Sequence, residues 1–280
     1  MRRRRSPRPF DVALAATLHD PPGALALALR RALPRLAATY RAVAVATSPP
    51  TSPRIAAILV EAGMHAGTVA TNRRGPLYRL SIRAALATGA GRVHYLDLDR
   101  ALHWLTRAPR ELRAVLRLAR RHRVLVLGRT PKAHRSHHVP LWATETLVNR
   151  LVGARLGLAR PIDLLVPSFV ADRAAAARLL AGSRALDAAM YGEWAALLLG
   201  LGEEVGYLEC RGLEWETPDR HRRAVRRASL AVWRRRHETP AEWSLRSAIA
   251  IDFLAGFRRT TERGPRHEPP VIRRLPPRIG

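Results

Sequence analysis

The sequence predicts an α/β protein: a mostly parallel sheet flanked by helices and followed by a C-terminal helical extension. From residue 11 onward, short β-like runs alternate with amphipathic helical runs, the pattern that parallel strands joined by crossover helices impose. A chain of 280 residues with 47% hydrophobic content can bury a core large enough for one such domain and an appendage. Arginines punctuate even the alanine- and leucine-rich segments, so no apolar stretch reaches the roughly 18 to 20 residues of a membrane-spanning helix.

Residues 12–18 make the first strand, and His19, Asp20, Pro21, Pro22 and Gly23 turn the chain into a leucine-rich helix over 24–40. A second strand spans 42–46. After it, Ser52 offers an N-cap and Pro53 the first position of a helix that Gly63 stops. A third short strand, 67–70, leads through Thr71-Asn72-Arg73-Arg74-Gly75-Pro76 into a helix over 77–88, ended by Gly89. The fourth strand, 92–96, delivers Asp97-Leu98-Asp99 at its carboxyl end. A helix over 110–121, an apolar strand 124–127, a polar loop 128–138 and a helix over 144–156 follow. Next come a strand-like run 162–166, helices over 172–180 and 187–199, a late strand 204–210 and a helix over 242–258. The chain thus divides into a basic start at 1–10 and a domain over 11–215, with halves 11–100 and 101–215. A helical extension at 216–263 and an extended or disordered proline-rich tail at 264–280 complete it.

A net charge of +27 raises polyanions as partners. Lys132 is the only lysine, however, and the arginines are spread along the chain, so a bias toward arginine accounts for much of the excess. Nucleic acid is therefore not expected as the main partner, and a peripheral contact with an anionic membrane is compatible with the charge. The single cysteine, Cys210, excludes an internal disulfide framework and a multi-cysteine zinc site and agrees with a reducing compartment. The basic residues at the start are followed by Pro7, Pro9 and Asp11 rather than by the compact apolar stretch of a secretory signal, so the expected location is cytoplasmic.

Open parallel sheets bind ligands beyond the carboxyl ends of their strands, where Asp97 and Asp99 fall. In an extended segment residues i and i+2 point the same way, so the two carboxylates could converge on one hard cation, Mn²⁺ or Mg²⁺, and leave positions for water and a diphosphate. Taken alone, two acids at a strand end also serve as a helix cap or as partners of arginines such as Arg100.

The ordered series around this pair resembles the nucleotide-binding half of the GT-A glycosyltransferases, which have a Rossmann-like fold, and particularly their family 2-like group. The matching residues are Thr71-Asn72-Arg73-Arg74-Gly75, then Arg79 and Arg83 in the following helix, then Val93-His94-Tyr95-Leu96-Asp97-Leu98-Asp99. The match covers residues 11 to 100 well and extends loosely to about 215. It implies a nucleotide-diphosphate-sugar donor bound across the strand ends near Asn72, Arg79 and Arg83, with a divalent metal bridging Asp99 and Asp97 to the diphosphate. The acceptor is undefined: a small molecule, a glycan or a lipid. Many relatives carry acids after the second strand, where this chain has Ala46-Thr47-Ser48-Pro49-Pro50. His19 and Asp20 then become candidates for contacts to base or ribose, or simply form the turn into the next helix.

An inverting transferase also needs a carboxylate to take the acceptor proton. The family pattern places it late, near a helix start, which here points to Asp187 or Glu193. Asp187 reads equally as an N-cap, and a retaining enzyme would need no such base. In the 128–138 loop Arg129 and Lys132 could hold phosphate, and His134, His137 and His138 could hold zinc, though without helical spacing or an adjacent acid. Glu145 and Asn149 share a helix face that is either turned to the acceptor or solvated. His103 and Trp104 could stack on a sugar, or Trp104 could anchor a helix. Residues 212–216, with Glu216, and His221 lie where some relatives bring a further metal or diphosphate ligand. Two other readings remain beside the transferase: a sugar nucleotidyltransferase, although residues 19–23 make a poor glycine-rich loop, and a non-catalytic protein that binds nucleic acid or an anionic surface.

Overall fold

The computed structural model describes residues 8–165, 167–200, 205–263 and 271–276. Their strands form a mixed eight-stranded sheet in the order β3-β2-β1-β4-β6-β5-β7-β8. The strands are β1 (Phe10–Leu18), β2 (Tyr40–Thr47), β3 (His65–Thr68), β4 (Arg92–Tyr95), β5 (Val124–Arg129), β6 (Phe169–Asp172), β7 (Val205–Cys210) and β8 (Ile272–Arg274). β6 runs antiparallel to both of its neighbours, β4 and β5, and the other pairings are parallel.

The central strand shows why the sheet is covered on both sides. Residues 12–18 are all buried, and alternate side chains enter two separate cores. Val12, Leu14, Ala16 and Leu18 meet α1 (Ala26–Thr39), α2 (Pro53–Glu61), α4 (Leu98–Arg107) and α5 (Pro109–Leu118). Ala13 and Ala15, with Ala44 and Ala46 of β2, belong to the other core, with α3 (Arg74–Ala87), α7 (Val139–Arg155), α8 (Arg173–Gly182) and α9 (Ala189–Leu199). The small side chains on that face make room for Tyr78 and Leu77 of α3.

Several boundaries differ from the expectation for local reasons. Strand β2 starts at Tyr40, and α3 starts at Arg74 because Pro76 is tolerated in a first turn. β3 lies two residues earlier than expected. A whole helix, α4, begins directly after β4, where only the later helix was foreseen. The polar loop 128–138 contains the end of β5 and the short α6 (Pro131–Ser136), capped by Thr130, whose hydroxyl accepts from Ala133 N. The strand expected at 162–166 is irregular through Leu165, with Val166 outside the described residues, and Phe169–Asp172 takes the place in the sheet. Glu204, the expected start of the late strand, lies outside the described residues. Part of the tail is a strand: Ile272–Arg274 extends the sheet beside β7.

The helical extension comprises α10 (Thr217–Arg220), α11 (Arg222–Ala228), α12 (Leu230–Arg235) and α13 (Pro240–Arg263). α13 packs on α9 and α7 through Phe253 and Phe257. The crossing with α9 is tight because both helices place a glycine there: a Cβ on Gly192 would stand 1.9 Å from the Phe253 carbonyl oxygen, and one on Gly256 2.0 Å from that of Ala189. Gly192→Val is expected to push α13 off the domain and cost about 3 kcal/mol or more, read as a lower urea midpoint. A midpoint within error of the original would show that the crossing yields freely. Among the described residues no helix is long and apolar enough to cross a membrane.

Candidate functional site

Strand order changes direction at β1: the chain moves from β1 outward to β2 and β3, then crosses back to place β4 on the other side. Beyond the carboxyl ends of strands that diverge in this way a crevice opens. Here it is an open cleft, with Thr17 and His19 from the end of β1, Asp97 and Asp99 after β4, Arg74, Leu77 and Tyr78 from α3, and Arg220 from α10. The expected acidic pair is therefore brought together in one cleft.

The local geometry of the pair corrects the expectation. Asp97 is the N-cap residue of α4 and Asp99 lies in its first turn, so the two are not in an extended segment and do not share a strand face. The Asp97 carboxylate turns to the sheet: Oδ1 accepts from Thr17 Oγ1 at 2.6 Å and from Tyr95 OH at 2.9 Å. Burial, then the neighbouring Asp99 charge, raises the Asp97 pKa, against the pull of Arg100 and the two hydroxyls. Asp99 Oδ1 accepts from the Arg100 amide at 2.8 Å, and Oδ2 accepts from Arg220 Nη2. The same Arg220 donates through Nη1 to the His19 carbonyl at 3.1 Å, tying the extension to both strand ends.

Glu216 reaches the same neighbourhood. It is buried, with Arg100 Nε 3.4 Å from its Oε2, and its pKa is raised first by burial and then by the charges of Asp99 and Asp97, with Arg100 opposing. The stretch around Glu216 had been singled out from the sequence. Arg220 and Arg74 had not been assigned a role, and Arg220 lies 121 residues from its partner Asp99, a separation no local pattern reports.

His19 lines the cleft with its ring nitrogen Nδ1 2.8 Å from Ser48 Oγ. Ser48 pairs with Thr51, and Thr47 with Thr68 and His65, so neutral hydroxyls and an imidazole occupy the region after β2. Asp20 is buried and its two carboxylate oxygens accept from the Ala24 and Leu25 amides at 3.1 and 2.9 Å, which is the turn reading. Asn72 is exposed before α3, and Arg83 is exposed on it. Arg79 points toward the α8–α9 connection, where Nη1 donates to the Ala185 carbonyl at 2.7 Å. These three stand apart from the residues lining the cleft.

The late acids hold that same connection together. Glu193 is buried and accepts from Ser183 Oγ at 2.9 Å and from the Arg184 and Ala185 amides at 2.8 and 3.1 Å. Asp187 is exposed and its Oδ1 accepts from the Ala189 amide at 3.2 Å, but Ala188 rather than Asp187 holds the N-cap position of α9. The glycine of Asn72-Arg73-Arg74-Gly75 serves this packing as well, since a Cβ on Gly75 would lie 2.0 Å from the Ala185 carbonyl oxygen.

Arg129 is committed to a second buried network. Its Nε and Nη2 donate to Asp163 at 2.7 and 2.9 Å, its backbone amide does so at 3.0 Å, and Nη2 also donates to Glu145. Asn149 donates to Asp163 Oδ1 at 3.1 Å, so Glu145 and Asn149 face inward. The guanidinium beside Asp163 holds its carboxyl far below the usual range despite burial. His134, Glu145 and Asp163 place one ligand atom each within 4.8 Å of one another, but the Arg129 side chain supplies the positive charge on both acids. Lys132 is exposed.

The three loop histidines have different neighbours: His134 Nε2 is 3.5 Å from Glu145, His137 Nδ1 is 3.1 Å from the Ala133 carbonyl, and His138 Nε2 is 3.4 Å from Glu242. His138 also packs against Trp215 and His237, while the His221 ring meets Trp233. Trp104 is a core residue bonded to Glu111 at 3.0 Å, and His103 pairs with Asp219 at 2.7 Å.

Burial, then the positive charge of Arg246, lowers the His138 pKa from 6.5 to about 4. A folded pKa below the unfolded one means that the neutral ring stabilises fully above pH 6.5 and that this contribution is lost as pH falls toward about 4. Thermal stability is expected to decline across that window and the decline to flatten in His138→Gln. An unaltered slope would assign the acid sensitivity to other groups. No protein-family model matches the chain, and no curated protein matches it.

Proposed function

We propose that the protein is a metal-dependent glycosyltransferase that moves a sugar from a nucleotide-diphosphate-sugar donor to an acceptor, with the β1/β4 cleft as the donor site. The observation that carries this reading is the convergence of Asp97, Asp99, Arg74 and Arg220 on one cleft where the strand order diverges.

The residues fit a hard divalent cation. Two partly buried carboxylates supply oxygen donors, and Mg²⁺ commonly takes one or two carboxylates and completes its shell with water and substrate phosphate. When bound, Mn²⁺ or Mg²⁺ would neutralise the charge that develops on the departing diphosphate. Thr17 and Tyr95 fix the orientation of the Asp97 carboxylate, which lowers the cost of ordering it on binding. Arg220 is held by Asp99 and would also pair with a phosphate oxygen of the donor, and Arg74 adds a second cation to the same wall. His19 and the Ser48–Thr51 hydroxyls would face the nucleoside side of the donor.

A thermal-shift panel of nucleotide sugars, each with and without Mn²⁺ and Mg²⁺, tests the reading. The expected result is stabilisation that needs nucleotide diphosphate and metal together. Stabilisation by nucleic acid alone, lost with added salt, would favour the basic binding protein instead.

A further inference from the structure

Outside the cleft, two packed helices leave an apolar and basic surface uncovered. On α7, Leu147, Arg150, Leu151, Ala154 and Arg155 are exposed at helical spacing, while Glu145 and Asn149 bond inward. On α13, which packs against α7, Trp243, Leu245 and Ile251 are exposed and Arg258 and Arg259 follow. Ile251 is 67% and Leu147 59% accessible, and these two helices carry five of the eleven large apolar side chains exposed among the described residues. Leu245, two residues from Trp243 on the helix, points to another side of α13, so the shared face is carried by Leu147, Leu151, Trp243 and Ile251 with the arginines.

We propose that the α7–α13 face docks on an anionic lipid surface. Leucine, isoleucine and tryptophan side chains enter the boundary between headgroups and acyl chains, and the arginines beside them pair with lipid phosphates. A second copy of the chain fits this face less well. A two-fold contact would set Arg150, Arg155, Arg258 and Arg259 of both copies near one another, against a single exposed acid on these helices, Glu262. RNA would satisfy the arginines and leave Leu147, Leu151 and Ile251 in water. Trp243, 40% accessible, is the most exposed tryptophan and reports directly on insertion.

The experiment uses the full chain with vesicles of phosphatidylcholine alone or mixed with phosphatidylglycerol, read by co-sedimentation and tryptophan emission. The protein is expected to sediment with the anionic vesicles and to show a blue shift that Trp243→Phe removes. Leu147→Ser/Leu151→Ser/Ile251→Ser is expected to weaken that partition by about tenfold or more while keeping the thermal midpoint of the original. Equal partition onto neutral vesicles, or undiminished binding by the triple variant, would overturn the proposal. So would a dimer in light scattering that the triple variant dissolves, or RNA binding by a protein that ignores vesicles. None of these readouts depends on sugar transfer, so the outcome is independent of the reading of the cleft.

Discussion

Asp99→Ala is expected to lower metal-dependent turnover of a nucleotide sugar by about a thousandfold or more, with the fold retained. The size follows from what the carboxylate does in the cleft. Asp99 supplies one of two acidic oxygen sets available to a cation and is also the anchor that holds Arg220 over the strand ends. On the proposed reading its removal takes away a metal ligand and frees the guanidinium at once. The fold survives because Asp99 is only partly buried and its interactions beyond the helix backbone run to Arg220, whose side chain is 20% accessible. Arg220 keeps its bond to the His19 carbonyl in the variant, so its guanidinium is not left without a partner. Full turnover in the variant, measured by release of the nucleoside diphosphate, would remove the pair from the chemistry.

Asp163→Ala is expected to have the largest effect on stability, a loss of about 3 to 5 kcal/mol. The carboxylate compensates the buried Arg129 guanidinium through both its oxygens, and it also receives the Asn149 amide and the Arg129 backbone N–H. Truncation leaves a buried positive charge paired with Glu145 alone. Arg129→Met/Glu145→Gln/Asp163→Leu removes all three charges of the network together and is expected to recover part of the loss, because no ion is then stranded. Chemical denaturation of the three proteins provides the comparison, and a single variant as stable as the original would show that the network contributes little.

The sheet through β4 was legible because its strands are apolar runs bounded by turn formers: Pro21, Pro22 and Gly23 after β1, Pro49 and Pro50 after β2, Gly89 before β4. Helix α4 was missed because only Leu96 and Asp97 separate it from β4, without a glycine or proline, so Leu98 and Asp99 look like the end of a strand. That omission also changed the supposed geometry of the acidic pair, although its place in a cleft at the strand ends was foreseen.

The strand expected at 162–166 failed for a different reason. The Asp163 amide donates to Tyr207 OH and the Leu164 amide to Asn149 Oδ1, so side chains take the bonds that a sheet would have supplied. These partners lie 44 and 15 residues away and leave no periodicity to read. The same holds for Arg129, Glu193 and Arg79, whose types suggest ligand binding but whose partners are other parts of the fold. Composition marks a residue as able to bind an anion or a proton, and only the fold decides whether an internal partner has already claimed it.

Calorimetric titration of a nucleoside diphosphate into the protein and into Asp99→Ala, each with and without Mn²⁺, tests the β1/β4 cleft as the donor site most directly. The expected result is one site per chain in the original protein, tight only with Mn²⁺, and weakened at least about a hundredfold in the variant. Binding of equal strength in the two proteins, or binding indifferent to Mn²⁺, would contradict it.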